Sequence, residues 1–285
     1  MHALLSGGQR RDTMLTLLFV FLLGMISIAR AEAAELNLYV QPIESVAKTE
    51  HAFQPLADYL SKKIGYTVHV RTAANFLAYW ELMRRGKGFD MVLDAAHFTD
   101  YRDQQQGYKV LAKVPDTVSF SLVTAGNLLL FDASELIGKT LASAPSPSLA
   151  GVRLAQIYPN PLRQPTLVQA SNFEQALDML KQGKIKAALV PTPMVNNDNS
   201  VNTVMTTRPV PHMAFSVSPQ IDAATRKKIR DALLNANKSK PGKVMLQKLR
   251  YTRFQPANNA MYKGYENLLD GVWGFTPSHH VADNR

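Results

Sequence analysis

Tyr66 to Ala96 reads YTVHVRTAANFLAYWELMRRGKGFDMVLDAA, and this stretch decides the fold class. YTVHVRTA alternates apolar and polar residues with the period of a half-buried strand. Asn75 to Arg85 then places apolar residues at helical spacing, ahead of Gly86 as a terminator. DMVLDAA is a short apolar run, the pattern of a strand covered on both faces. Upstream, ELNLYVQP is a first strand stopped by Pro42, and Ala52 to Ile64 is a helix closed by Gly65. Strand, helix, strand, helix, strand predicts a layered α/β fold with a mainly parallel sheet.

The same alternation restarts after residue 120. SFSLVTA is a strand, Ala133 to Ile137 a short helix, KTLASA a strand, and Ser148 to Ile157 a helix stopped by Pro159. PTLVQAS is a strand, Asn172 caps FEQALDMLKQG, and IKAALVP is a strand ended by Pro191, which together predict a second α/β lobe. MAFSVS from Met213 adds a strand, Asp222 caps AATRKKIRDALLNA, and the text from LQKLRY to DGVWGF reads as helical with packing aromatics. Between KTLASA and its helix lies Leu141–Gly151, LASAPSPSLAG. Ser caps helices, Pro suits the first helical position, and the first N–H groups of a helix have no internal partner, so this start attracts an anion or a polar ligand head.

Arg10 and Arg11 precede the apolar run MLTLLFVFLLGMISIA, which ends in ARAEAAE. That is the layout of a secretory signal peptide over residues 1–33, with cleavage after Ala31 or after Ala33 both meeting the small-x-small preference. The run is short for a membrane span, and no Cys follows it to take a lipid. With no cysteine anywhere, disulfides, thiolate metal sites and a Cys nucleophile are excluded. Losing the five charged residues of the leader takes the formal charge from +10 to +9, which suits an anionic ligand or an anionic membrane surface.

Four words in this order resemble the phosphate-, phosphite- and phosphonate-binding periplasmic substrate-binding proteins of ABC transporters, the PhnD-like group. They are LYVQP with ADYLSKKIG, FLAYWELMRRGKGFDMVLDAAHF, ELIGKTLASAPSPSLAG and ALDMLKQGKIKAAL, and the resemblance runs from Leu36 to about Asn237. It implies the type II periplasmic binding protein fold: two mainly parallel α/β lobes joined by two crossing segments, near Pro115 to Ser121 and near Thr206 to Pro211. Lobe 1 would then be discontinuous, 34–118 plus 210–285, and lobe 2 would be 119–209. The ligand sits in the interlobe cleft, and closure around it is read by an ABC transporter permease or, alternatively, by a membrane sensor such as a histidine kinase or diguanylate cyclase.

The resemblance also implies the contacts. The family's ligand loop is Ser-Thr-Ser-Gly-like; Ser146 and Ser148 match it, while Pro147 replaces the middle residue and Leu149 the Gly. Pro147 removes one backbone donor and one hydroxyl, each worth on the order of 1.5–3 kcal/mol to a charged acceptor. From lobe 1 the expected contacts are Gln41, Ile43, Asn75, Phe76, Ala96 and His97, the last as a neutral donor or, protonated, a cation. Lobe 2 adds Thr192 in VPTPMV, a stretch with no acid to meet an ammonium. The expected ligand is a small anion, with no cofactor, no metal and a monomeric protein.

Other classes lack their residues. There is no G-x-S-x-G elbow and no H-E-x-x-H, and His51, His69, His97 and His212 are scattered without metal-ligand spacing, so no enzyme is expected. Nucleic-acid binding is not expected either, because the basic residues are dispersed in an exported chain.

Overall fold

Leu36, Leu38 and Val40 are buried on alternate positions of β1 (Glu35–Val40), and Val68 and Val70 do the same on β2 (Thr67–Arg71), so each strand turns one face to α1 (Val46–Ile64). The computed structural model describes residues 34–277 apart from Lys87 and Ser171; the leader expected over 1–33 lies outside the described residues. α2 (Phe76–Arg85) leads to β3 (Met91–Asp94), all four of whose residues are buried. α3 (Ala96–Gln106) and β4 (Lys109–Lys113) follow, then β5 (Thr117–Val118).

The second set begins with β6 (Phe120–Ala125) and β7 (Thr140–Ala142), then α4 (Leu149–Ile157), β8 (Thr166–Val168), α5 (Phe173–Lys181), β9 (Ala187–Pro191) and β10 (Val201–Thr206). β11 (Val210–Pro211) leads back to β12 (Ala214–Val217), α6 (Ala223–Leu234), α7 (Lys240–Leu249) and β13 (Gln255–Pro256). A six-stranded sheet has the order β13-β4-β12-β3-β1-β2 and a five-stranded sheet the order β10-β6-β9-β7-β8, while β5 and β11 pair as a separate antiparallel ribbon.

Each sheet holds a parallel trio, β2-β1-β3 and β8-β7-β9, and completes itself with antiparallel neighbours. β12 lies antiparallel between β3 and β4, and β6 lies antiparallel between β9 and β10. The sheets are therefore mixed, because a strand entering from the other sheet arrives against the direction of the trio it joins. The two trios are topological copies: in each, one helix follows the outer strand and leads to the third.

Several elements depart from the sequence expectation. α1 starts six residues earlier than Ala52 and runs through Pro55. α3 occupies what reads as a loop at Ala96–His97, because all residues from Ala96 to Arg102 are buried and leave no amphipathic stripe to detect. The C-terminal text gives α7, then short 3-10 turns at Asn259–Tyr262 and Tyr265–Leu269. Tyr262, Leu268 and Leu269 are buried there, and the Glu266 N–H donates to Asp100 Oδ2 at 2.9 Å, which fastens this segment to α3. Among the described residues no helix is long and apolar enough to cross a membrane.

Beneath the start of α3 lies a fully buried ion pair. Arg102 Nε donates to Asp94 Oδ2 at 2.6 Å, and the Tyr79 hydroxyl donates to Asp94 Oδ1 at 2.5 Å. The guanidinium carbon sits 4.3 Å from the Phe89 ring centroid and 5.2 Å from that of Tyr108. Burial, the largest influence, works against the Arg102 charge, but Asp94 together with Tyr79 and Tyr108 more than offsets it and the guanidinium stays protonated. Removing one member would strand the other ion without water. Asp94→Ala is expected to lower the unfolding free energy by about 3–5 kcal/mol, read from urea denaturation; a loss within the range of surface substitutions would show that the pair is not integral to the fold.

Candidate functional site

Four helices begin around one cavity of about 600 Å³, which is lined by turns beside the six-stranded sheet, by residues of and beside the five-stranded sheet, and by the β5–β11 ribbon. Asn75 caps α2, its Oδ1 accepting from the Ala78 N–H at 2.9 Å. Asn172 caps α5 in nearly the same backbone conformation, accepting from the Gln175 N–H at 2.8 Å. Ser148 caps α4, its Oγ accepting from the Gly151 N–H at 3.0 Å and donating to the Ala144 carbonyl at 3.2 Å. α3 starts behind Ala95, whose N–H donates to Gln41 Oε1 at 3.0 Å. All five of these residues line the cavity.

Each helix start leaves N–H groups without a carbonyl of its own helix and carries about half a positive charge. Lysine and arginine are absent from the described lining, whereas Glu44 and Asp116 belong to it. The electrostatics favouring an anion are thus dipolar, and the adjacent carboxylates deny the site an excess of positive charge. Asn75 and Asn172 each spend their oxygen on the cap, which leaves the amide NH₂ as a donor.

The loop before α4 folds back over its own helix. A Cβ at Gly151 would lie 2.3 Å from the Ser146 nitrogen and 2.5 Å from the Pro145 carbonyl carbon, so only glycine lets the Ser-Pro-Ser turn pack here. The Ser146–Pro147 peptide bond is cis. Pro147 is buried, and its carbonyl meets His97 Nε2 at 2.9 Å.

Of the residues expected from sequence, Gln41, Ile43, Asn75, Phe76 and Ser148 line the cavity. Ala96 and His97 are fully buried behind it, and Ala95 takes their place in the lining. Ser146 is exposed outside the lining, whereas Pro147 is joined to His97 beneath it. Thr192 is also outside; its Oγ1 accepts from the Ser119 and Ser121 hydroxyls at 2.9 and 3.1 Å, and Pro191 and Pro193 line the cavity instead. Asn172, Phe173 and His212 line it without having been singled out. The repeated Asn-Phe word at 75–76 and 172–173 is the signal that points to the first two; nothing in the sequence marks His212. Among the described residues, no group of three or more His, Cys, Asp or Glu is placed to hold a metal ion.

Hydrogen bonding fixes both histidine tautomers. A carbonyl only accepts, so His97 carries its proton on Nε2; His212 Nδ1 accepts from the Met213 N–H at 2.8 Å, so its proton is also on Nε2. Burial lowers the His97 pKa to about 4, with the Pro147 carbonyl opposing and Arg153 assisting. Burial and then Lys113 lower that of His212 to about 4. Both rings are neutral at pH 7, and His212 is a neutral donor. An unfolded histidine takes up its proton near pH 6.5, so the folded state binds fewer protons below that value, and stability falls as pH drops from about 6.5 toward 4. At pH 5 each ring is expected to cost about 2 kcal/mol relative to pH 7.5, measured by urea unfolding. In His97→Gln, which keeps an N–H donor for the Pro147 carbonyl, this histidine-dependent pH slope should fall by about half; an unchanged slope would contradict the buried neutral ring.

Residues 38–262 match the family model described as the phosphonate periplasmic substrate-binding protein of ABC transporters. Among curated proteins, none matches the chain. Solved structures share the fold at low identity. PhnD1 from Prochlorococcus marinus, in complex with methylphosphonate, is 15% identical with a TM-score of 0.68, covering 84% of this chain and 98% of that one. A binding protein component of an ABC phosphonate transporter from Pseudomonas aeruginosa is 12% identical with a TM-score of 0.67, covering 83% and 85%. A Xanthomonas citri protein bound to ATP is 16% identical with a TM-score of 0.67, covering 84% and 100%. The fold is the two-lobed type II arrangement, and with its model matched over most of its length the chain belongs to the family of phosphonate-binding periplasmic components of ABC transporters, a family of substrate-binding proteins rather than enzymes.

Proposed function

We propose that the cleft captures a small oxyanion of the phosphonate class and presents it, by closure, to a membrane permease. The observation that carries this reading is the convergence of four helix starts on one cavity that, among the described residues, is lined by no lysine or arginine. Phosphonate oxygens need donors at short range, and free N–H groups with the Asn75 and Asn172 amides and the His212 ring supply them. The methylphosphonate held by a protein of the same fold supports the same chemistry here.

The proposed contacts are Gln41, Ile43, Asn75, Phe76, Ser148, Asn172 and His212, with Gln41 holding the Ala95 turn in place. Lobe 1 comprises 34–118 and 210–285 and lobe 2 comprises 119–209. The division is supported by the strands, since those of the six-stranded sheet fall in the first range and those of the five-stranded sheet in the second. Opening and closing bend the β5–β11 ribbon between them. The charged, apolar and small-residue layout of residues 10–33 supports export with removal of that leader.

Aspartate caps helices as well as asparagine does, so Asn75→Asp and Asn172→Asp add a carboxylate to the cleft without removing a cap. By calorimetry each is expected to weaken methylphosphonate binding about tenfold or more, with melting temperature preserved. Affinity equal to the unsubstituted protein would remove these helix starts from the site.

A further inference from the structure

The two lobes present the same two-residue word to the cleft. Asn75-Phe76 follows β2 and Asn172-Phe173 follows β8, the outer strands of the two parallel trios. The caps share extended backbones, with φ −161° and ψ 174° at Asn75 and φ −161° and ψ 178° at Asn172. Each Phe is therefore the first residue of its helix, and each lines the cavity and is half-buried, one side packed against the core. Phe173 also leans on Phe120, ring centroids 6.2 Å apart, which fixes it from behind.

Position decides what such a pair can hold. A ring at the first helical residue stands next to the N–H groups that attract an anion, so an oxyanion seated on the α2 and α5 starts has its substituent against both rings. The remaining lining includes Leu149, Met213 and Pro145, again apolar. A cavity of about 600 Å³ falls in the range of roughly 300–1,000 Å³ that suits drug-sized ligands, whereas methylphosphonate brings a single carbon. Closing on so small a group would leave two aromatic faces without a partner.

From this we infer that the ligand carries a flat apolar substituent on its oxyanion head, an arylphosphonate or a compound of that shape, held between Phe76 and Phe173. The inference rests on the oxyanion reading of the cleft and specifies the other end of the molecule. Phenylphosphonate and methylphosphonate share the head and differ only in the substituent, so calorimetry with both separates the two ideas. Phenylphosphonate should bind at least about tenfold more tightly. Phe76→Leu and Phe173→Leu keep apolar bulk but remove the flat face. Each should erase most of that preference, read as the ratio of phenylphosphonate to methylphosphonate affinity in the same variant, with thermal unfolding confirming the fold.

Equal affinities for the two compounds in the unsubstituted protein would overturn the aromatic clamp and leave the oxyanion reading intact. A phenyl preference unchanged in both leucine variants would also overturn it, since the rings would then not be its source. Failure of both compounds to bind would sink the oxyanion reading, and the clamp with it.

Discussion

Asp94 and Arg102 meet where no water reaches, and the surrounding structure is arranged to make that tolerable. Two ions cost several kcal/mol each to dehydrate, and their attraction offsets this only with short, well-aligned hydrogen bonds. Here the guanidinium has one such bond at 2.6 Å and aromatic faces around it, and the carboxylate takes a second bond from Tyr79. Tyr79 comes from α2, Asp94 from the end of β3 and Arg102 from α3, so the pair locks three elements at the edge of the cleft. The residue after Asp94 is Ala95, which lines the cavity and is bonded to Gln41 of the turn after β1. The precision of the lobe 1 wall thus derives from a polar contact buried under it.

Strands and helices with clear periodicity were legible in the sequence. The Tyr66–Ala96 stretch gave strand, helix and strand, and Asn172 and Asp222 are caps as expected, because a short polar side chain ahead of an apolar repeat has one natural use. What escaped was whatever is buried on every side. α3 has no polar face in its first two turns, since His97, Asp100 and Arg102 are themselves interior, and a hydropathy pattern cannot show a helix whose charges point inward. The same limit applied to the site. His97 looked like a ligand contact because it follows a strand, yet its ring turns away to the Pro147 carbonyl. Sequence located the turns that surround the cleft and half of the residues expected there line it, while at β3 a shift of one position, Ala96 to Ala95, exchanges wall for interior.

Net charge suits an anionic ligand, but its location does not coincide with the cleft. Residues 222–250 contain nine Lys or Arg and two Asp or Glu, so much of the positive excess lies along α6 and α7. None of these side chains lines the cleft, which is instead bordered by Glu44 and Asp116. Under the proposed site, a strongly basic protein would hold its anion through dipoles rather than through its lysines and arginines.

That choice has a consequence for how the cleft works. A buried lysine or arginine would have to be neutralised in the empty protein or carry its dehydration cost through every cycle. Helix starts are neutral overall, cost little to leave empty, and point their N–H groups the same way whether or not a ligand is present. In the proposed site the donors are divided between α2 and α3 beside one sheet and α4 and α5 beside the other, so an anion would gain its full set only when both walls approach. The difference in hydrogen bonding between the open and closed states is what a ligand can contribute to closure, and a ligand indifferent to the two would shift nothing. Distributing one anion's donors over two lobes in this way would make recognition and closure the same event.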